Sequence, residues 1–557
     1  MESTRAVITV GFVSSILVAI CAISSGSLWI DEFGIWLLTR SDSIPDWWGQ
    51  LQSWKDSDSQ IPLYHFLMYG WTKVVGTDAV AMRASNVGMF VVANLALLWP
   101  FRSQPTIAVP VILTSCLNAP IWYYLNEMRP YIMLYMGTCL MVGAIIEMMG
   151  SEQRPSSFGI KALCIGAVLS SGATVIGIAW AASAIVFMLI YWLVIRKESL
   201  SDLVSKNCFT FAIAVLCITA LIAHDVRMLA LGKHPSVYKT NIGTVFFSFY
   251  TNLGLLGVGP GMLDIRANGV GALVPFLPII AFSAILFSFV AIGGLLKIRG
   301  VFGNRTILLL IGCILLPVLF LFALGVVMHW RVLPRHFIPL VSVFSLLYAF
   351  GLAWLWRRRL VGRAVALISA TMMGYSSLSV RYAPRHAKDD YKHAAELAAI
   401  ELARDGCVWW IADIRGALYY GIPYPSEELA FPSYGSPGAF PRRLSALLPV
   451  SEKTFSLLSA QDPPTLVLFS KPDIYDSQNV VNNYLSVNKY QVVETFPAFT
   501  AWRPSKPDQR LKRPGQFGSW TPIGGEQTAS GYVVASKVTG VGQYAWCTVR
   551  NAEPRAW

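Results

Sequence analysis

Residues 306–328 read TILLLIGCILLPVLFLFALGVVM, 23 residues without a single charge. A membrane-spanning helix needs about 20 consecutive, mostly apolar residues. This stretch also lacks the polar face that a surface helix of a soluble domain keeps. It is read as a span. Working outward, blocks of the same kind recur at 6–24, 79–100, 106–123, 131–149, 159–175, 177–195, 207–223, 272–296, 336–356 and 363–380, about eleven in all. The two blocks around Gly172-Ala173-Thr174 share a short turn. Residues 1–25 resemble a signal peptide at first sight, with Arg5 ahead of an apolar run and Ser24-Ser25-Gly26 behind it. The run is longer than a signal core and no clean A-x-A site follows, so it is read as an uncleaved first helix.

Composition agrees. Of 557 residues, 55% are hydrophobic and 13% charged, about half the charged share of a soluble domain. Disorder is excluded by an aromatic content of 13%. The net charge of +13 would suggest nucleic acid in a soluble protein. Here the basic residues lie largely between apolar blocks, where they orient helices and meet anionic headgroups. No basic-aromatic stripe marks a soluble domain, so no nucleic acid is expected. Seven of the nine cysteines lie in or beside apolar blocks, where a thiol acts as a small hydrophobe. Cys407 and Cys547 sit in the polar C-terminal part; a disulfide between them and two separate thiols are both open readings.

One alternate set of loops is short and dense in Lys and Arg: Arg102; Arg154; Arg196-Lys197 with Lys206; Lys297, Arg299 and Arg305; Arg357-Arg358-Arg359 with Arg363. The positive-inside rule places this set in the cytoplasm. The loops at 25–78, 124–130, 224–271 and 329–335, and everything after 380, are then outside. Loop 25–78 holds Trp29, Trp36, Trp47, Trp48, Trp54 and Trp71, suited to the headgroup level. Within it, Pro62 to Gly76 (PLYHFLMYGWTKVVG) is apolar but too short to span, and reads as an interface helix. Residues 224–271 read as a second long outer loop. The organisation expected is a transmembrane domain over 1–380 and a small α/β domain over 381–557, with a helix at 389–404 and strands at 408–412, 465–469 and 490–493. Residues 505–530 read as a loop or extension.

Chemistry concentrates on the outer side. Asp31 and Glu32, in SLWIDEF, follow the first span directly. Carboxylates beside hydrocarbon are costly and point to function. In a shielded groove one of them suits a general base; equally, Asp31 suits the cap of a short helix, FGIWLLTR. Asp58 precedes Pro62-Leu63-Tyr64, and alone it reads as a solvated loop acid. Glu127, Arg129 and Tyr131 form a third cluster, in which an Arg among aromatics fits a phosphate or a sugar ring or a snorkelling anchor. Arg331, Arg335 and His336 form a fourth. Two arginines on the outer side call for an anionic partner, a ligand or a lipid headgroup.

In order and placement these motifs resemble the GT-C superfamily of polyprenyl-phosphate-sugar-dependent glycosyltransferases. The likeness is to the bacterial branch related to protein O-mannosyltransferases and to the aminoarabinose transferase acting on lipid A. The family pattern has an Asp-Glu pair after the first helix, matched by Asp31-Glu32. It has an acid before Pro-Pro-Leu-Tyr, matched by Asp58 and Pro62-Leu63-Tyr64, although Ile61 replaces the first Pro and Gln60 the usual basic residue. Glu-x-Arg-x-Tyr is matched by Glu127, Arg129 and Tyr131. An Arg-Tyr-x-x-Pro-like helix start is echoed by Arg335-His336-Phe337-Ile338-Pro339, and the opening of the soluble domain by Asp390-Tyr391. The likeness covers 1–145 well, 329–400 moderately, and the rest in layout only.

The resemblance implies a GT-C-like polytopic helical protein of the bacterial inner membrane, multi-pass, with a periplasmic C-terminal α/β domain. The implied reaction is inverting transfer of a sugar from polyprenyl phosphate to the hydroxyl of a lipid or glycan acceptor. Asp31 would be the base, Glu32 its orienting neighbour, and Asp58 would position the acceptor or a metal. Arg129 and Arg335 would neutralise the leaving phosphate. Lys233 and Arg227 join them on charge and side of the membrane alone. Tyr64, Glu127, Tyr131 and His336 would contact substrate. No obligatory cofactor is expected, while a divalent cation is allowed; His224-Asp225 is the pair to watch. Three rivals stand beside this reading. A transporter or lipid flippase would line a path through the bundle with charge, whereas here charge gathers at one face. A non-catalytic scaffold would leave the acid-Arg constellation without a role. An O-antigen ligase or polymerase would also use lipid-linked sugars.

Overall fold

Helices form where the apolar blocks lie. The computed structural model describes residues 2–54, 57–150, 157–197, 199–231, 240–329, 332–422, 447–449, 455, 463–505, 525–527 and 533–535. These fall into two units: residues 1–25 with 34–387, and residues 26–33 with 388–557.

In the first unit α1 is Glu2–Ala22. Helix α2, Ile30–Thr39, starts within the segment that belongs to the second unit. Then come α3 Ile44–Ser53, α4 Pro62–Val75, α5 Ala79–Arg83, α6 Ser85–Leu98, α7 Pro105–Cys116, α8 Ala119–Leu125 and α9 Tyr131–Gly150. They are followed by α10 Ser157–Ala173, α11 Gly177–Ile190, α12 Leu200–Leu231, α13 Ile242–Tyr250, α14 Met262–Asn268, α15 Leu277–Phe302, α16 Asn304–Val327, α17 Pro339–Trp356 and α18 Leu360–Tyr382.

Among the described residues eight helices are long and apolar enough to cross a membrane, or nine with one bent pair. The protein is a multi-pass membrane protein. All eleven expected blocks are helical, but two fall short as spans. Helix α10 has 17 residues. Helix α18 is 23 residues long, yet Ser369, Ser376, Ser377 and Ser379 dilute its apolar character and it is not among the eight. The bent pair is α7 and α8, at 53°. Pro120 opens α8, where its missing N–H is harmless. Thr114 Oγ1 donates to the Ser345 carbonyl at 2.8 Å, one of the polar contacts that accompany a break at membrane depth.

Helices α15 and α17 cross at closest range through glycine. A Cβ on Gly294 would lie 1.9 Å from the Leu347 carbonyl oxygen, and one on Gly351 would lie 2.0 Å from that of Val290. Small residues let backbones meet where lipid supplies no hydrophobic drive.

Among the described residues the expected outer loop at 224–271 is largely helical. Helix α12 runs on through His224 and Asp225 to Leu231, and α13, a wide π turn at Thr251–Leu255, a tight 3-10 turn at Leu256–Val258, and α14 follow. Polar residues ended the span on paper, but two of them turn inward: Asp225 is 2% exposed and His224 Nε2 donates to the Ser59 carbonyl at 2.9 Å.

In the second unit, α19 (Tyr391–Leu402) is capped by Asp390, whose carboxylate accepts from His393 N at 3.1 Å. Strand β1 (Val408–Ile411) precedes α20 (Ile414–Tyr419); β2 (Leu447–Pro449) and β3 (Leu466–Ser470) follow. Next are α21 (Pro472–Tyr475), α22 (Val480–Val487), β4 (Tyr490–Phe496) and β5 (Phe499–Pro504). The sheet order is β2-β1-β3-β5-β4. Strand β1 runs parallel to β2 and β3, while β5 runs antiparallel to β3 and β4. Trp409, Ile411, Val467, Phe469 and Leu485 form its core. Residues 525–527 and 533–535 pair as a separate ribbon, in a stretch part of which was read as loop. Cys407 forms no disulfide among the described residues, and Cys547 lies outside them.

Candidate functional site

The turn between α8 and α9 carries Glu127 and Arg129, and Tyr131 opens α9. Asn86, buried in α6, fixes that turn: its side-chain amide donates to the carbonyls of Leu125 at 3.1 Å and Glu127 at 2.7 Å. The end of the first span is tied to it as well, since the Ser24 backbone N–H and hydroxyl donate to Asn126 Oδ1 at 2.8 and 2.9 Å. Arg129 is therefore presented by a backbone held from two directions.

Its guanidinium meets Asp58 from 71 positions upstream, Arg129 Nη2 to Asp58 Oδ1 at 2.8 Å, with side chains only 6% and 13% exposed. Asp58 sits in a single tight turn, Ser57–Gln60, immediately before α4. The solvated-acid reading of Asp58 is corrected: the carboxylate is sheltered and paired. His65, one turn into α4, donates from Nε2 to the Asp58 carbonyl at 3.0 Å, which assigns its tautomer. Burial above all, with the Arg129 cation adding to it, pulls the His65 pKa down to about 4 despite the opposing pull of Asp58. The ring is neutral at physiological pH. Tyr64 is fully buried beside it.

Tyr131 gathers the second cation. The Arg129 guanidinium carbon stands 5.9 Å from the Tyr131 ring centre and that of Arg335 stands 5.6 Å away, both within cation–π range. Tyr124 packs edge-on against the same ring at 4.9 Å. Arg335 and His336 lie in a tight turn, Pro334–Phe337. His336 Nδ1 accepts from Leu333 N at 3.1 Å, and its carbonyl accepts from Trp180 Nε1 at 3.2 Å.

An apolar cavity begins at Trp180 and Pro339. It follows one face of α17 through Val343, Leu346 and Leu347 to Phe350, between α9, α11, α15 and α16. Pro339 and Phe350 are eleven helical rises apart, which makes that face about 16 Å long. The turn that carries Arg335 thus touches the cavity lining through the hydrogen bond from Trp180 to the His336 carbonyl.

The structure brings Asp58, Arg129, Tyr131 and Arg335 together, with Glu127 buried in the same turn. Asp31 and Glu32 belong to the second unit. They lie inside the first turn of α2 rather than ahead of it, where the helix dipole favours negative charge; the reading of Asp31 as a cap is corrected. Glu32 is fully buried and accepts from Trp29 N at 3.1 Å, while Asp31 is partly exposed. Arg227 is exposed on α12. Lys233 and Arg331 lie outside the described residues. Among those residues no three His, Cys, Asp or Glu side chains converge in a metal-binding group. Sequence reasoning missed His65 and Asn86. His65 directly follows the Pro62-Leu63-Tyr64 motif, and that adjacency was the available signal.

No protein-family model matches the chain, and no curated protein matches it. Solved structures do. ArnT from Cupriavidus metallidurans in the apo state is 13% identical, covering 91% of this chain and 99% of that one, with a TM-score of 0.47. The same protein bound to undecaprenyl phosphate gives 12% identity, the same coverage and 0.46. The arabinofuranosyltransferase AftD from Mycobacteria gives 14% identity over 91% of this chain and 40% of that one, at 0.37. The chain is thus similar to solved structures of ArnT and AftD over 91% of its length. No residue role is carried across from them.

Proposed function

We propose that the protein is an inverting glycosyltransferase. It moves a sugar from a polyprenyl-phosphate donor to an acceptor hydroxyl at the periplasmic face of the bacterial inner membrane. One observation carries the reading: Arg129 and Arg335 share the Tyr131 ring beside the end of an apolar cavity that starts at Trp180 and Pro339. A lipid phosphate has the same two-part chemistry, an anion on a long hydrocarbon chain.

In this reaction an acceptor hydroxyl gives its proton to the Asp31 carboxylate. Its oxygen attacks the anomeric carbon from the face opposite the leaving group. The bond from that carbon to the phosphate oxygen breaks, and polyprenyl phosphate leaves with the electron pair. Negative charge grows on the phosphate in the transition state, where Arg129 and Arg335 stabilise it. Glu32 holds the turn that presents Asp31. Asp58 orients Arg129, a role more specific than the acceptor or metal contact that the motif implied. Glu127, Tyr64 and His336 line the sugar side. No obligatory metal enters the scheme, and EDTA treatment checks that directly.

The test is purified full-length protein in lipid nanodiscs with a panel of polyprenyl-phosphate sugars, following release of polyprenyl phosphate. At least one donor should be consumed by the parent and by no Asp31→Asn sample. Equal turnover by Asp31→Asn removes the base assignment; binding of the lipid with no release from any donor removes the enzyme reading in favour of a transporter.

A further inference from the structure

The segment that bears Asp31 is held by the C-terminal unit. Residues 26–33 group with residues 388–557, whereas Ser25 and Gly34 on either side group with the membrane unit. Both ends of the segment are anchored. At the first, Leu28 N donates to Tyr420 Oη at 3.0 Å. The Tyr420 hydroxyl in turn donates to Ser27 Oγ at 3.2 Å, and Lys392 N donates to the same oxygen at 3.2 Å. Ser27 passes its own proton to the Leu28 carbonyl at 2.8 Å. At the second end, the fully buried Phe33 ring meets the edge of Tyr391 at 5.0 Å and 82°, with Tyr419 at 5.9 Å.

The fit at the Phe33 end leaves no slack. A Cβ on Gly416 would lie 2.2 Å from Tyr391 Cδ1 and 3.1 Å from Phe33 Cε2. Tyr391 is itself pinned, its hydroxyl accepting from Asp413 N at 3.3 Å. Asp31 lies between these anchors, next to a Glu32 that closes the turn onto Trp29 N. It is the partly exposed carboxylate, while Leu28, Glu32 and Phe33 around it are buried.

We infer that Tyr420 and Ser27 are positioning residues for the transfer: through them the C-terminal unit sets the conformation from which Asp31 works. The inference rests on the proposed role of Asp31 as base. It gives the soluble unit a duty in the chemical step, separate from any part in recognising the acceptor. Ordinary packing of a loop on a domain would need only the Phe33 contacts. Three hydrogen bonds converging on Ser27 and Leu28 fix its backbone as well.

The test compares the parent with Tyr420→Phe, Ser27→Ala and Asp31→Asn as full-length chains in nanodiscs. Two readouts are taken: hydrogen exchange in the peptide covering 26–33, and steady-state transfer. Tyr420→Phe should speed exchange in that peptide about tenfold, within the range of the two hydrogen bonds it loses, with other peptides unchanged. Its kcat should fall about tenfold at unchanged donor KM, and Ser27→Ala should behave alike. Asp31→Asn should abolish transfer without altering exchange. If Asp31→Asn still transfers sugar, the base assignment falls and takes the catalytic purpose of the anchor with it. If Asp31→Asn is inactive while Tyr420→Phe and Ser27→Ala match the parent in either exchange or kcat, the anchor alone is refuted.

Discussion

Breaking the Asp58–Arg129 pair should unsettle the site from its centre. The two side chains are 13% and 6% exposed and 2.8 Å apart. At an effective dielectric near 20, two unit charges at that distance attract by about 6 kcal/mol. Desolvation offsets most of it, so the net worth of the pair is small. Removing one partner is different, because it strands the other charge away from water, typically at about 3–5 kcal/mol. Asp58→Asn and Arg129→Gln should each lose about 3 kcal/mol. The double variant should lose less than their sum by about 1.5–3 kcal/mol, the coupling of two groups in one ion pair. The assay is SDS titration in mixed micelles, followed by the fluorescence of the protein's 19 tryptophans. Polyprenyl-phosphate binding separates the roles. Arg129→Gln should weaken it by about tenfold to a hundredfold, the range of a hydrogen bond to a charged group. Asp58→Asn should not weaken it, since the guanidinium loses a competitor. Losses that add to within about 0.5 kcal/mol would refute the pairing. Equal loss of lipid binding in both variants would refute the assignment of Arg129 to phosphate.

Arg335→Ala should weaken polyprenyl-phosphate binding by a similar factor, and Arg335→Lys should restore it only partly, because an ammonium neither stacks on Tyr131 nor bridges two oxygens; full recovery in an isothermal titration would count against the stacked geometry. Acid should destabilise the fold through His65. Its folded pKa of about 4 is below the unfolded value near 6.5, so the unfolded chain binds more protons, and stability falls as pH drops from 6.5 toward 4, by about 3 kcal/mol in all. His386, buried and likewise lowered to about 4 chiefly by burial, adds a loss of the same sign, so His65→Gln should flatten the profile in part; an unchanged profile would contradict the buried neutral ring. Gly351→Ala should cost about 1–3 kcal/mol by driving α17 off α15, whereas Gly312→Ala in α16, with nothing within 4 Å of its added Cβ, should be tolerated. Equal SDS midpoints for the two would sink the close crossing.

The polytopic helical fold with its C-terminal α/β part was legible, because it rests on the crudest signal, runs of apolar residues long enough to span. Pro62 to Gly76 was legible too: Pro opens that helix and Gly76 ends it at φ +90°, where only glycine is unstrained. The helices within 224–271 went unseen for a physical reason. His224 and Asp225 look like the end of a span, and only the Ser59 carbonyl across the fold shows that helix α12 has a polar partner to carry them onward. Strand β5 went unseen because FTAWRP has no continuous apolar run and closes on a proline. The Asp58–Arg129 pair joins residues with no spacing to betray it. Still less could periodicity show that Ser27 and Leu28 belong to Tyr420, more than three hundred positions away.

Under the proposed reaction, the Asp58–Arg129 pair also bears on how the site would turn over. Arg129 and Arg335 alone would make a strong trap for a lipid phosphate. Uniformly tight binding of substrate and product lowers the donor concentration needed and does nothing for the chemical step. Here Asp58 holds Arg129 directly, and Tyr124, packed on Tyr131, has Glu127 and Arg335 among its charged neighbours. One carboxylate is thus paired with Arg129, and a second, Glu127, lies near the Tyr124 that Arg335 also neighbours. A donor phosphodiester carries one negative charge and competes poorly with Asp58 for Arg129. The departing phosphate gains a second charge as its bond to the sugar breaks, and competes better at that moment. The acid placed beside the cation thus weights its attraction toward the transition state. The same balance lets the spent lipid go, because protein carboxylates reclaim the arginines once it moves. On this account Asp58→Asn should raise affinity for free polyprenyl phosphate while lowering kcat through slower product release, and a pre-steady-state burst of cleaved polyprenyl phosphate in quenched samples of that variant, absent from the parent, is the observation that decides it.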